Sequence, residues 1–269
     1  MKVQDVIDAI VADCGLGAPL ERTCDILVSG RPDMEVTGIV TTFMATVDVI
    51  RKTTEIGANM IITHEPTWFN GPDETEWLRN DPVYQAKKKL LEDLGIAVWR
   101  FHDHMHFTRP DRIYEGLNRE LGWQDCYRPQ GTFNHIYEIE ERTLADLAVF
   151  IKEKLNMDIV RVIGEPDAKC RKIGILVGGG SLGLGRETMP MEFMRDHDLD
   201  CVVCGEITEW TLAAYVNDAR MLGMNKTMII IGHERSEEWG MKDIARWLKP
   251  LVGGLPVTFI DAGEPFVYL

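Results

Sequence analysis

No apolar run in this 269-residue chain approaches the roughly 20 residues that a membrane-spanning helix requires. The longest, such as Met228 to Ile231, are strand-sized. The first residues do not read as an export signal. Val3, Val6, Ile7, Ile10 and Val11 fall at helical spacing, but Asp5, Asp8 and Asp13 interrupt them. A cytoplasmic location is therefore expected. Basic residues are also in deficit, 29 against 43 acidic, for a net charge of −14. Such a surface repels phosphate backbones and anionic lipids, so neither nucleic acid nor a membrane is the expected partner, while cations are attracted. No stretch rich in Pro, Gly or Ser divides the chain. The six cysteines, Cys14, Cys24, Cys126, Cys170, Cys201 and Cys204, are scattered rather than framed, which argues for reduced thiols. Cys201 and Cys204 form a C-x-x-C, but they flank Val202 and Val203 in a strand-like run. Positions three apart on a strand point to opposite faces, so a chelating pair is the lesser reading.

What is present is an alternation of strand and helix patterns, the mark of an α/β fold with much parallel pairing. Strands are expected at Glu35 to Thr42, Asn59 to Thr63 and Ile96 to Phe101, with helices at Thr46 to Ile56 and Asp81 to Leu94 between them. The second half repeats the theme. Strands are expected at Asn134 to Ile139, Asp158 to Ile163, Lys172 to Val177, Asp200 to Cys204 and Thr227 to Ile231. Helices are expected at Leu144 to Lys154, Met191 to Asp196, Glu209 to Leu222 and Glu234 to Leu248. A chain of this length buries roughly three quarters of its unfolded surface and needs no staples. Two α/β lobes follow, the first about 1–124 with 228–269 and the second about 125–227.

Two apolar strands run directly into ligand-type side chains. Asn59 to Thr63 leads into His64 and Glu65, and Met228 to Ile231 leads through Gly232 into His233, with Glu237 four residues on. Sites in α/β sheets gather at the carboxyl ends of parallel strands. If a helix opens near His233, one turn brings Glu237 to the same side. The third segment is denser: His102, Asp103, His104 and His106 hold three of the seven histidines within five positions. As a continuation of the strand before it, alternation would put His102, His104 and His106 on one face. A solvated polar strand end is the bland reading; imidazole at this density is otherwise a signature of a metal site. His135 and His197 stand alone and are expected to be surface or structural.

Four stretches carry a resemblance: Thr63 to Phe69, His102 to His106 with Gly116-Leu117-Asn118 downstream, Gly205-Glu206, and Gly232-His233-Glu234-Arg235-Ser236-Glu237. The chain resembles the NIF-three-like family, also known as the GTP cyclohydrolase I type 2 homologues, through nearly its whole length. G-H-x-x-S-E at Gly232 to Glu237 is the most specific match. The resemblance implies a two-lobed α/β fold with mixed, largely parallel sheets, a metal cleft between the lobes and assembly as a homohexamer. It further implies a dinuclear centre of two divalent ions (Zn, Fe, Mn or Ni), held at His64, position 65, position 106, His233 and Glu237. The family usually has histidine where this chain has Glu65, and aspartate where it has His106. The two departures offset each other: three imidazoles and two carboxylates remain, with ligand charge still −2. His104 or Asp103 could stand in for His106.

Two ions about 3.5–4 Å apart can share a hydroxide, since metal binding lowers the pKa of water from 15.7 towards ~7. Glu237 would bridge the ions or bind the second one, and His102 or Glu206 would serve as general base, so these three are the candidates for catalysis; the alternative for Glu206 is a structural role. The implied function is a metal-dependent hydrolase acting on a small nucleotide-like or phosphorylated molecule. The alternative is a non-catalytic metal-binding, metal-delivery or ring-forming protein. One feature supports a rival. Gly178-Gly179-Gly180-Ser181-Leu182-Gly183 satisfies G-x-G-x-x-G after a strand, with Glu206 at the end of the next strand where a ribose-binding acid would fall. No clear helix pattern opens at Gly183, however, so no dinucleotide cofactor is expected. The loop either turns through positive φ or offers its amides to an anionic group in the metal cleft.

Overall fold

The computed structural model describes residues 1–16, 20–131 and 134–269. In chain order the first elements are α1 (Val3–Asp13), β1 (Leu27–Ser29), β2 (Ile39–Thr42), α2 (Val47–Glu55), β3 (Met60–Thr63), α3 (Pro82–Leu94), β4 (Ala97–Arg100), α4 (Asp103–Phe107) and α5 (Arg112–Leu121). Then come β5 (His135–Thr143), α6 (Leu144–Lys154), β6 (Arg161–Ile163), β7 (Lys169–Leu176), α7 (Met189–Asp196), β8 (Cys201–Cys204), α8 (Ala214–Met221), β9 (Thr227–Ile230), α9 (His233–Leu248) and β10 (Val257–Phe259). The chain divides into two compact units, Met1–Gly116 with Glu238–Gly263 and Leu117–Glu237 with Glu264–Leu269. Strand β9, which the expected division counted with the first lobe, pairs with β8 in the second unit's sheet.

Each unit holds a five-stranded mixed sheet. In the first the order is β1-β4-β3-β2-β10, with β1 antiparallel to β4 and the other neighbours parallel. In the second the order is β5-β7-β8-β9-β6, with a parallel centre of β7, β8 and β9 and an antiparallel strand on either side. Every residue of β2, β3, β4, β8 and β9 is buried. A parallel strand covered on both faces must be apolar along its whole length, which is why these segments read as continuous apolar runs rather than alternating ones. Val40, Ile61 and Val98 of the first sheet pack with Ile50 of α2 and Leu91 of α3. In the second, Leu176, Val202 and Met228 pack with Phe193 of α7 and Val216 of α8.

Local signals set the helix ends. The Thr46 hydroxyl accepts the Val49 amide at the start of α2, and the Asp81 carboxylate accepts the Tyr84 amide at the start of α3. Gly95 closes α3 at φ +62°, a left-handed conformation that costs glycine nothing. Edges and irregular segments departed from expectation. The strand expected from Glu35 is regular only from Ile39, and β6 begins at Arg161 rather than Asp158. The helix expected over Glu209 to Leu222 is broken: a π-helical turn at Glu209–Ala213, with Thr211 at ψ −119°, precedes α8. Among the described residues, no helix is long and apolar enough to cross a membrane.

Candidate functional site

In the first unit, β3 and β4 end in register, Thr63 opposite Arg100. His64 follows β3 at once and is fully buried, its amide and that of Glu65 donating to the Phe43 carbonyl at 3.0 and 2.9 Å. After β4 the chain does not continue as a strand. It turns into α4, so the alternation expected for His102, His104 and His106 does not occur. The cause is a remote carboxylate: Asp25 Oδ1 accepts the amides of His102 and Asp103 at 2.7 Å each, and Oδ2 accepts that of His104 at 3.0 Å. Asp25 thus caps a helix 77 residues downstream. On a helix, His102 and His106 share a face and His104 turns away. His104 donates from Nδ1 to Asp25 at 2.6 Å and is not part of the cluster that His102 and His106 join.

His64, His102 and His106 meet. Their rings lie 4.4 Å apart and stacked for His64 and His102, with His106 edge-on to both at 5.1 and 4.9 Å. One donor atom from each falls within 4.8 Å of the other two. Each ring also has an oxygen at Nδ1: the Phe101 carbonyl at 3.4 Å for His64, Asp103 Oδ1 at 2.9 Å for His102 and Asp111 Oδ2 at 2.9 Å for His106. A carbonyl or carboxylate oxygen can only accept, so each Nδ1 carries a proton, and in the neutral ring the lone pair is then on Nε2. Asp103, the other candidate to replace His106, falls instead in a group with Cys24 and His102 whose ligand atoms lie within 4.8 Å of one another. It takes His102 Nδ1 together with the Cys24 amide and thiol, and these donors hold its carboxyl well below the usual range against the opposing effect of burial. Burial, with Asp103 adding to it, pushes the Cys24 thiol up to about 12.

Glu65 lies beside this cluster, Oε1 at 3.6 Å from His102 Nε2 and Oε2 at 3.8 Å from the Arg100 guanidinium. Arg100, itself buried, also donates to the carbonyls of His64 and Gly71, clamping the loop that follows β3. Asp73 fixes the loop's middle by accepting the Thr67 and Trp68 amides at 2.8 and 2.6 Å, and burial raises its pKa. Lys87 donates to the Thr67 carbonyl at 2.9 Å from a buried position that lowers its pKa to about 8.

In the second unit the parallel strands also end in register, Leu176 beside Cys204 and Cys204 beside Ile230. Three side chains project beyond them. His233 opens α9, with Nδ1 at 3.2 Å from Glu206 Oε1 and Nε2 at 3.1 Å from Glu237 Oε2. The Ser236 hydroxyl donates to the His233 carbonyl at 2.7 Å and accepts the Gly178 amide at 2.8 Å. Gly178 sits at φ +52°, and a Cβ there would fall 2.0 Å from Glu237 Oε1 and 2.8 Å from His233 Nε2. The glycine of the G-x-G-x-x-G run therefore makes room for the His233–Glu237 pair. Its amide is taken by Ser236 and so is not offered to an anion, and the next α-helix begins only at Met189. The C-x-x-C lies fully buried in β8, with burial pushing Cys204 up to about 12. His135 is a buried partner of the Tyr127 hydroxyl.

Asp25, Asp111 and Arg100 carry no signal in the sequence as supporting groups. Gly178 and Ser236 do, the first in the glycine loop expected to turn through positive φ and the second in the G-H-x-x-S-E run.

The chain belongs to the Duf34/NIF3 (NGG1p interacting factor 3) family, whose model it matches over residues 1–265. It is 26% identical over 250 residues to the GTP cyclohydrolase 1 type 2 homolog of Clostridium acetobutylicum, covering 88% of this chain and 85% of that protein. Its counterpart in Clostridium perfringens is 24% identical over 286 aligned positions, covering both chains entirely. A crystal structure of a Bacillus cereus protein related to NIF3 matches with a TM-score of 0.76 at 14% identity, covering 100% of this chain and 99% of that one, which is a likeness of fold.

Proposed function

We propose that this chain is a dinuclear metal-binding protein that hydrolyses a small nucleotide-like or phosphorylated molecule. Its ligands would be His64, Glu65 and His106 in the first unit and His233 and Glu237 in the second. The observation that carries the reading is the meeting of three imidazoles within 4.8 Å, each with its proton directed to an oxygen behind it. The second unit fits a cation on separate grounds. His233 lies between two carboxylates, and a neutral ring with its one N–H directed to Glu206 would turn a lone pair towards the Glu237 oxygen 3.1 Å away. Two such atoms repel each other unless a proton or a cation joins them. Neutral imidazoles with carboxylates suit Zn, Fe, Mn or Ni. The relatives' name, GTP cyclohydrolase 1 type 2 homolog, supports a nucleotide as the first substrate class to test.

Divalent ions in such a site supply Lewis acidity and bring the ionisation of water towards neutral pH. The side chains do the rest. Glu206 is half exposed and holds His233 in one tautomer, so its carboxylate is placed to accept a proton; His102 is the other candidate base. Arg100 and Asp73 keep the Glu65 loop from moving. A homohexamer is the assembly the family resemblance supports, and light scattering on the purified protein would measure it.

The test is elemental analysis of the purified protein, followed by turnover of GTP and other nucleotides with Zn, Mn, Fe and Ni in turn. The expected result is bound metal and hydrolysis that Glu237→Ala abolishes. Negligible metal in both wild type and His233→Ala would end the metal reading. Bound metal without turnover would favour a metal-delivery or ring-forming role.

A further inference from the structure

We infer that His102 is a metal ligand rather than the general base, and that His64, His102 and His106 form a three-imidazole ion site lying entirely within the first unit. This rests on the proposed metal-binding reading and deepens it. A general base would be set apart from the donor cluster and would face the solvent side of the site. His102 instead stacks on His64 at 4.4 Å and lies 4.9 Å from His106. It is the residue that precedes α4, its carbonyl accepting the His106 amide at 3.3 Å, and the two rings meet edge-on at 4.9 Å.

The hydrogen bonds behind the rings support the same assignment. Metal-ligating histidines characteristically donate their second N–H to a carboxylate or a backbone carbonyl, which fixes the tautomer and raises the basicity of the ligating nitrogen. All three rings do this, through Phe101, Asp103 and Asp111 respectively. A base on His102 Nε2 would need this arrangement once; a three-nitrogen ion site needs it three times. The imidazole of His106 completes a neutral set, with Glu65 Oε1 3.6 Å from His102 Nε2 as an adjoining carboxylate. Three neutral nitrogens leave the ion's charge undiminished and favour Zn, Ni or Fe over Mg or Ca, whose preferred ligands are oxygens.

The experiment is titration of the intact metal-free chain with Zn2+ and Co2+, read by calorimetry and by visible absorption of the cobalt form. The expected result is that His102→Ala weakens the first-unit ion by at least about 100-fold, more than loss of a supporting hydrogen bond would. If His102→Ala binds as wild type does while turnover falls, His102 is the base and the inference is overturned, with the metal-binding reading intact. If wild type itself takes up neither metal, both fail together. A second measurement needs no variant. In wild type carrying 15N-labelled histidine, zinc should shift the Nε2 resonances of His64, His102 and His106 and leave their Nδ1 protons in place. An unmoved His102 Nε2 in the zinc-loaded chain would also overturn it.

Discussion

The histidine cluster of the first unit and the His233–Glu237 pair of the second occupy the same place in two similar sheets, past the carboxyl ends of parallel strands. They are held in different ways. In the first unit the rings are supported from behind by groups distant in sequence: Asp25 caps the turn that carries His102 and His106, while Arg100 and Asp73 clamp the loop carrying Glu65. In the second unit the support is mostly local. His233, Ser236 and Glu237 lie within one and a half turns of α9, with Glu206 and Gly178 contributed from elsewhere. A site assembled from remote anchors can be damaged from far away. One assembled on a single helical turn is damaged mainly by its own residues.

The largest test of that contrast is Asp25→Ala. It removes three amide caps and the His104 bond from a charged acceptor, and should cost about 4 kcal/mol in urea unfolding. A loss under about 1 kcal/mol would mean that α4 does not depend on this anchor. Next is Lys87, which seats the first unit's loop through Thr67. Below pH 8 its amine is protonated in both folded and unfolded chains, and the buried charge is a standing cost. Between pH 8 and 10.5 only the unfolded chain keeps the proton, so stability rises with pH by about 3 kcal/mol and then levels off. The difference in unfolding free energy between wild type and Lys87→Met should climb across that window, since the buried thiols, which lower stability above pH 9, act alike in both.

In the second unit, Gly178→Ala should weaken zinc binding by about 100-fold, because the new methyl displaces the end of the Glu237 side chain. Its effect on stability should stay near the 1 kcal/mol or so that a left-handed alanine costs. A zinc affinity equal to wild type would show that Glu237 has another place to go. Smallest is Asp111→Asn, which weakens the support of His106 Nδ1 and should reduce zinc affinity by about 10-fold, measured by chelator competition.

The same contrast explains what could be read from the sequence. The central strands were legible because burial on both faces forces long apolar runs, as in Met60 to Thr63 and Thr227 to Ile230. The His233–Ser236–Glu237 group was legible because helical spacing alone brings i and i+4 together. Strand alternation misled at His102 to His106, since what turns that segment into a helix is Asp25, and nothing near His102 announces it. The three-residue strands β1 and β10 were missed because so short a segment carries no periodicity of its own. Thr211 breaks the helix expected from Glu209, and the pattern of apolar residues there gives no sign of it.

The placement of the candidate ligands has a consequence for descent. His64 begins one residue past β3, His102 two past β4, Glu206 two past β8 and His233 three past β9. The residues that hold the sheets together and the residues that choose the ion are therefore adjacent but separate. Substitutions at Glu65 or His106 fall in the second group. The proposed ligand set can change by such steps while every strand of the core stays as it was.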